Sequence, residues 1–149
     1  MTMHFSNRED ILDSRDIIER FEELTSEKEA LLEQIVEAYD DEELYSDEDR
    51  RELQNELNTW IDEHGEEHRI LSKLNAQGSD YAPDWEYGET LIRDSYFQTY
   101  AKELAEDIGA INRDASGPNN CIDWERAAEE LQMDYTALDF DGVTYWVRS

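Results

Sequence analysis

Over two long stretches of this chain, apolar residues recur alternately four and three positions apart, and that spacing leaves little choice of fold. From Asp13 the first series runs Ile17, Phe21, Leu24, Leu31, Ile35 and Ala38, with Lys28 in the remaining seam position. The second runs Leu53, Leu57, Trp60, His64, Glu67, Leu71 and Leu74. A seven-residue repeat of this kind is a helical seam that must be covered by another, so a long antiparallel helical hairpin is expected. Ile18, Leu32, Val36 and Tyr39 thicken the first seam to a stripe suited to packing on a body. Thr25, Ser26 and Glu29 resemble a capping box, which allows a break near residue 25. Gly65 costs about 1 kcal/mol inside a helix but leaves the frame intact, and Gly78 is expected to stop the second helix.

Between the two series lies Y-D-D-E-E-L-Y-S-D-E-D, residues 39 to 49, with seven carboxylates among eleven residues. Ser46 followed by Asp47, Glu48 and Asp49 is a helix start. It offers an N-cap hydroxyl and three carboxylates at the positive end of the helix dipole. The stretch is therefore expected as the turn of the hairpin plus the first turn of the next helix.

From Ser79 the character changes. Y-A-P-D-W-E-Y-G-E-T-L-I reads as an aromatic loop. Asp94 or Ser95 is expected to cap a helix with Tyr96, Phe97, Tyr100, Leu104 and Ile108 inward, ending at Gly109. After the loop N-R-D-A-S-G-P-N-N, Asp123 is expected to cap a short helix with Trp124, Ala127, Ala128 and Leu131 inward. Y-T-A-L-D-F and V-T-Y-W-V-R flank Asp141-Gly142, a strong signal for a type I′ hairpin. The expected fold class is α+β and mostly helical. A helical hairpin over residues 1–78 precedes a globule over 79–149 that holds two helices and a C-terminal β-hairpin.

Forty acidic residues against thirteen basic ones give a formal net charge of −27. Four Trp, eight Tyr and four Phe separate this chain from a disordered acidic tail, so the charge belongs to a folded body. It argues against binding nucleic acid through phosphates, which needs Lys and Arg to replace counterions, and equally against an anionic membrane. Basic surfaces are the favourable partners, including channels that themselves hold DNA. A solvated acidic face kept for solubility is the plainer alternative, and Arg outnumbering Lys ten to three fits it. One cysteine, Cys121, excludes an intramolecular disulfide and reads as a small buried filler. With no apolar core at the N-terminus and no run near the ~20 residues of a membrane span, a soluble, cytoplasmic protein is expected.

Two motifs touch on metal chemistry. His64-Gly-Glu-Glu-His68 fits the inverted zincin pattern H-x-x-E-H, with Glu67 as base, but a glycine interrupts it and His4 is the only other histidine. Asn112, Asp114, Ser116, Gly117 and Asp123 imitate an EF-hand loop, with Asn first and Asp where a bidentate Glu belongs. A seam histidine, an exposed histidine and a capped loop account for the same residues. No phosphate loop or nucleophile motif is present, so no catalytic residue, metal site or cofactor is expected.

Charge density suggests another use. Twenty-four acids lie in residues 9 to 67, against eight bases up to Lys73. A helix from 47 to 77 would be roughly 46 Å long at about 1.5 Å per residue, a length over which duplex DNA carries about 27 phosphates. A protein that stands in for DNA needs such a density. Its partner-binding surface would be Asp40, Asp41, Glu42, Glu43, Asp47, Glu48, Asp49, Glu52 and Glu56.

The C-terminal half strengthens this reading. Y-F-Q-T-Y-A-K-E-L-A-E-D-I-G-A-I through C-I-D-W-E-R-A-A-E-E-L-Q-M-D-Y-T-A-L-D-F-D-G-V-T-Y-W-V-R, roughly residues 95 to 148, resembles the C-terminal domain of the ArdA family of phage and mobile-element antirestriction proteins. The shared order is I-D-W-E, a small-residue helix, an acidic-aromatic step and the D-G-V-x-Y hairpin. ArdA proteins have further domains before this one, where the present chain has its heptad hairpin. The resemblance implies an acidic, non-enzymatic DNA mimic that competes with DNA for a host defence complex, either a restriction-modification enzyme or a CRISPR effector. It would work in the host cytoplasm if phage-encoded, and a homodimer would be compatible with it. The alternative is an acidic coiled-coil adaptor or assembly protein without mimicry.

Overall fold

The computed structural model describes residues 6–107 and 123–149, and the chain divides into two compact units. One is built on residues 16–75. The other joins residues 7–15 to residues 76–149. The expected mostly helical α+β organisation is present.

In the first unit, helix α1 (Ser14–Asp40) runs antiparallel to helix α2 (Asp47–Trp60), a π turn (Ile61–Gly65) and helix α3 (Glu66–Tyr81). Ties across the seam descend on one side as they ascend on the other: Arg20 to Glu67, Glu27 to Trp60, and the Ala38 carbonyl to Arg50. The seam buries Ile17, Leu24, Ala38, Leu57, Trp60, Leu71 and Leu74. Its heptad frame survives the π turn, which closes at Gly65. No break occurs at residue 25, because the Thr25 hydroxyl meets His68 Nε2 at 2.9 Å instead of capping a helix. Nor do Leu32, Val36 and Tyr39 pack inward as expected. They are exposed, since a two-helix seam covers only its a and d positions and these lie beside it.

In the second unit, strands β1 (Ile11–Asp13), β2 (Thr90–Arg93), β3 (Tyr135–Phe140) and β4 (Val143–Arg148) form one antiparallel sheet in the order β1-β2-β4-β3. The first two strands depart from the expectation, which places Thr90-Leu91-Ile92 at the end of an aromatic loop. Ser14 joins them to that loop. Its amide donates to the Glu89 carbonyl, its hydroxyl donates to the Trp85 carbonyl at 2.8 Å, and it accepts from the Glu89 amide at 2.6 Å.

Helix α3 runs past Gly78 to Tyr81, so that glycine is not a stop. It is buried, and the ring of Trp85 lies where a β-carbon would project. Neither Asp94 nor Ser95 caps the following helix. A 3₁₀ turn (Asp94–Tyr96) leads into helix α4 (Phe97–Asp107) without a side-chain cap. The two side chains are committed elsewhere, Asp94 accepting from Trp146 Nε1 and Ser95 from Arg93.

Asp123 does cap helix α5 (Trp124–Gln132), accepting from the Arg126 amide at 3.2 Å. One face of the sheet offers Ile92, Tyr135 and Trp146 to Phe97, Ala101 and Ala128 of α4 and α5. Asp141 and Gly142 both take positive φ, +48° and +88°, as the hairpin turn between β3 and β4 requires. Gly109, Cys121 and the EF-hand-like loop up to residue 122 lie outside the described residues.

Candidate partner-binding surface

The nine singled-out carboxylates come together at the end of the first unit where the chain reverses. Asp40 closes α1, Asp41, Glu42 and Glu43 form the turn, and Asp47, Glu48 and Asp49 make the first turn of α2. Glu52 and Glu56 follow one and two turns on. All nine are exposed, but they do different work.

Three of them build the turn. Asp41 Oδ1 accepts from the Leu44 amide at 3.1 Å. Ser46 and Asp49 form a reciprocal capping box, the Ser46 hydroxyl accepting from the Asp49 amide at 3.1 Å and Asp49 Oδ2 from the Ser46 amide at 2.9 Å. That backbone hydrogen bond, reinforced by the Ser46 hydroxyl, holds the Asp49 carboxyl below its usual range. Asp47 Oδ1 accepts from Arg50 Nη1 at 2.9 Å. Asp40, Glu42, Glu43, Glu48, Glu52 and Glu56 have no ion-pair partner among the described residues and face solvent.

The cations here serve the fold. Arg50 is largely buried; its Nε donates to the Ala38 carbonyl at 2.9 Å and its guanidinium lies 5.6 Å from the Tyr39 ring centre. It thereby satisfies one of the orphan carbonyls that end α1, which has no basic residue in its last turn. Arg20 pairs with Glu67 and Glu23, and Arg69 with Glu66. Residues 16–75 carry twenty-one acids against six bases, so the surplus of negative charge is left outside. The phenol of half-buried Tyr45 registers it: partial desolvation, then the nearby Glu37, Asp41 and Asp49, push its pKa up.

The zincin-like residues are engaged elsewhere. Glu67 is fully buried and held by Arg20, while His68 stacks on Phe21 at 5.4 Å and lies edge-on to Trp60 at 5.7 Å. Among the described residues, no three His, Cys, Asp or Glu side chains come together as a metal site would require. No helix there is long and apolar enough to cross a membrane.

Sequence reasoning missed one part of this surface. Two shallow depressions accompany the acids. One is lined by Glu29, Leu32, Glu33, Val36, Glu37, Asp40 and Asp41, the other by Leu44, Tyr45, Asp49, Glu52, Leu53 and Glu56. Both are lined by apolar side chains together with carboxylates. The signal was present in the spacing of Leu32, Val36 and Tyr39, but only the fold tells a covered stripe from an open one. No family model, curated protein or solved structure matches the chain.

Proposed function

We propose that this protein is a non-enzymatic inhibitor that presents its hairpin carboxylates to a basic, DNA-holding surface of a host defence complex and so competes with DNA. One observation carries the reading: six exposed carboxylates at the hairpin end lack ion-pair partners, while Arg20, Arg50 and Arg69 are spent on internal contacts. A carboxylate paired at its own surface could not replace a phosphate's counterion-releasing contact; a free one can. The resemblance of residues 95–148 to the ArdA C-terminal domain points the same way.

The test is competition in a gel-shift assay with a type I restriction enzyme or a DNA-targeting CRISPR effector and its duplex substrate. The protein should displace the duplex, and displacement should weaken steeply with added salt. A block variant neutralising Asp40, Glu42, Glu43, Glu48, Glu52 and Glu56 should lose it while keeping its circular dichroism. Asp41, Asp47 and Asp49 are left in place because they hold the turn. Salt-insensitive binding that survives the block variant would sink the mimic.

The adaptor reading is favoured by a separate observation, the exposure of Leu32, Val36 and Tyr39. Hydrophobic anchors dominate ordinary protein interfaces, and charge mimicry alone does not account for them.

A further inference from the structure

We infer that the open face of α1 is a docking site for a basic amphipathic helix, a partner segment carrying aliphatic anchors with Lys or Arg along one flank. This deepens the functional reading above, on which it rests, by naming the chemistry of the partner's contact segment. Leu32, Val36 and Tyr39 stand at i, i+4 and i+7, one stripe of about 10 Å over two turns. They are 40%, 58% and 58% exposed although the seam beside them is closed. Glu29, Glu33, Glu37 and Asp40 run along one margin of the stripe, the side away from the seam, and together with Leu32 and Val36 they line a depression.

Charge complementarity selects the occupant. A second copy of this chain would set the four margin carboxylates against their own equivalents, and like charges facing each other in a drying interface are costly. Nucleic acid and anionic lipid fail on the same ground and offer nothing for the leucine and valine. A neutral apolar segment would cover the stripe but desolvate the acidic margin without pairing it. A helix with apolar residues at the same four-three spacing and cations along one flank satisfies both, laying its stripe into the groove while Lys or Arg reach the carboxylates.

Fluorescence anisotropy with three labelled peptides of equal length tests this: a Leu/Lys amphipathic helix, the same peptide with Gln for every Lys, and oligolysine. The Leu/Lys peptide should bind the full-length protein at least about tenfold tighter than either control, which is the loss expected on removing one good apolar or charged contact set. Leu32→Ser with Val36→Ser should weaken it by about tenfold with circular dichroism unchanged, since both side chains are already exposed. As a second arm, Glu29→Gln, Glu33→Gln and Glu37→Gln together should weaken it and flatten its salt dependence. Equal binding of oligolysine, indifference to the serine variant, or self-association lost on Val36→Ser would each overturn the inference. If the serine variant still displaces DNA from a defence enzyme and the six-carboxylate block variant does not, only this inference falls and the inhibitor reading stands.

Discussion

Arg20 grips Glu67 with two N–H groups, Nε at 3.2 Å from Oε2 and Nη2 at 3.0 Å from Oε1, and the glutamate it holds is fully buried in the seam. Hydrogen bonding and attraction to Glu67 raise the Arg20 pKa further, so the guanidinium is charged under all working conditions. Removing Arg20 takes the bidentate partner from a buried carboxylate, whereas Arg20 without Glu67 keeps Glu23. Arg20→Met should cost about 3–5 kcal/mol in urea unfolding and Glu67→Leu less, while the double variant should return near the parent stability. A double variant as unstable as the sum of the two singles would mean that the residues do not act as a pair.

His68 gives the hairpin a pH dependence. Its ring meets Phe21, Trp60 and the Thr25 hydroxyl. Burial and then the charge of Lys28 hold its pKa below the ordinary 6.5. The unfolded chain therefore binds the proton more readily, and the stability contributed by neutral His68 is complete above about pH 6.5 and is lost as pH falls through the lower folded value. Protonation of surface carboxylates relieves the repulsion of a −27 chain over part of the same range, so the comparison must be with His68→Gln. The stability gap between parent and variant should narrow on acidification. A gap independent of pH would show that the ring is not kept neutral.

What the sequence concealed follows from range. The seams, the Ser46 and Asp123 caps and the Asp141-Gly142 turn are local patterns, and each was legible because the residues that make it are neighbours. Strand β1 has three residues and β2 four, too short for alternation to register. They exist because Ile11 pairs with Ile92 across the intervening hairpin. The buried pairing of Glu67 had the same defect: at a seam position a glutamate reads as an irregularity until Arg20 is seen opposite. The acidic end was legible as composition. Its division into carboxylates that hold the turn and carboxylates that face solvent was not, since that depends on which backbone amides they reach.

Two glycines fail substitution for opposite reasons. A β-carbon at Gly78 would lie 2.4 Å from three ring atoms of Trp85, itself buried and unable to swing aside. Gly78→Ala should cost about 1–3 kcal/mol through overpacking, despite alanine's better helix propensity. At Gly142 there is open space, but φ is +88°. Gly142→Val should also cost about 1–3 kcal/mol, here as backbone strain. Chemical denaturation measures both, and Trp85→Leu should rescue only the first. Rescue of neither would misplace the Gly78 contact.

The last prediction separates the carboxylates that make the turn from those the turn displays. Ser46→Ala should cost about 1 kcal/mol, the usual price of an N-cap, and should make Asp49→Asn nearly silent, because the two side chains complete one reciprocal box. Asp49 has a folded pKa below the ordinary 3.8, so its contribution is complete above that value and is lost as pH falls through the folded one. Glu48, between them in sequence but facing solvent, should leave the melting curve where it is when changed to Gln. The partner assay should show the reverse order: the block of six solvent-facing acids should abolish competition with DNA, whereas Asp49→Asn should weaken it no more than the loss of one charge does. If Asp49→Asn alone abolished competition in a protein still folded by circular dichroism, one specific carboxylate would be reading the partner. The claim that many interchangeable charges share the work would then fail.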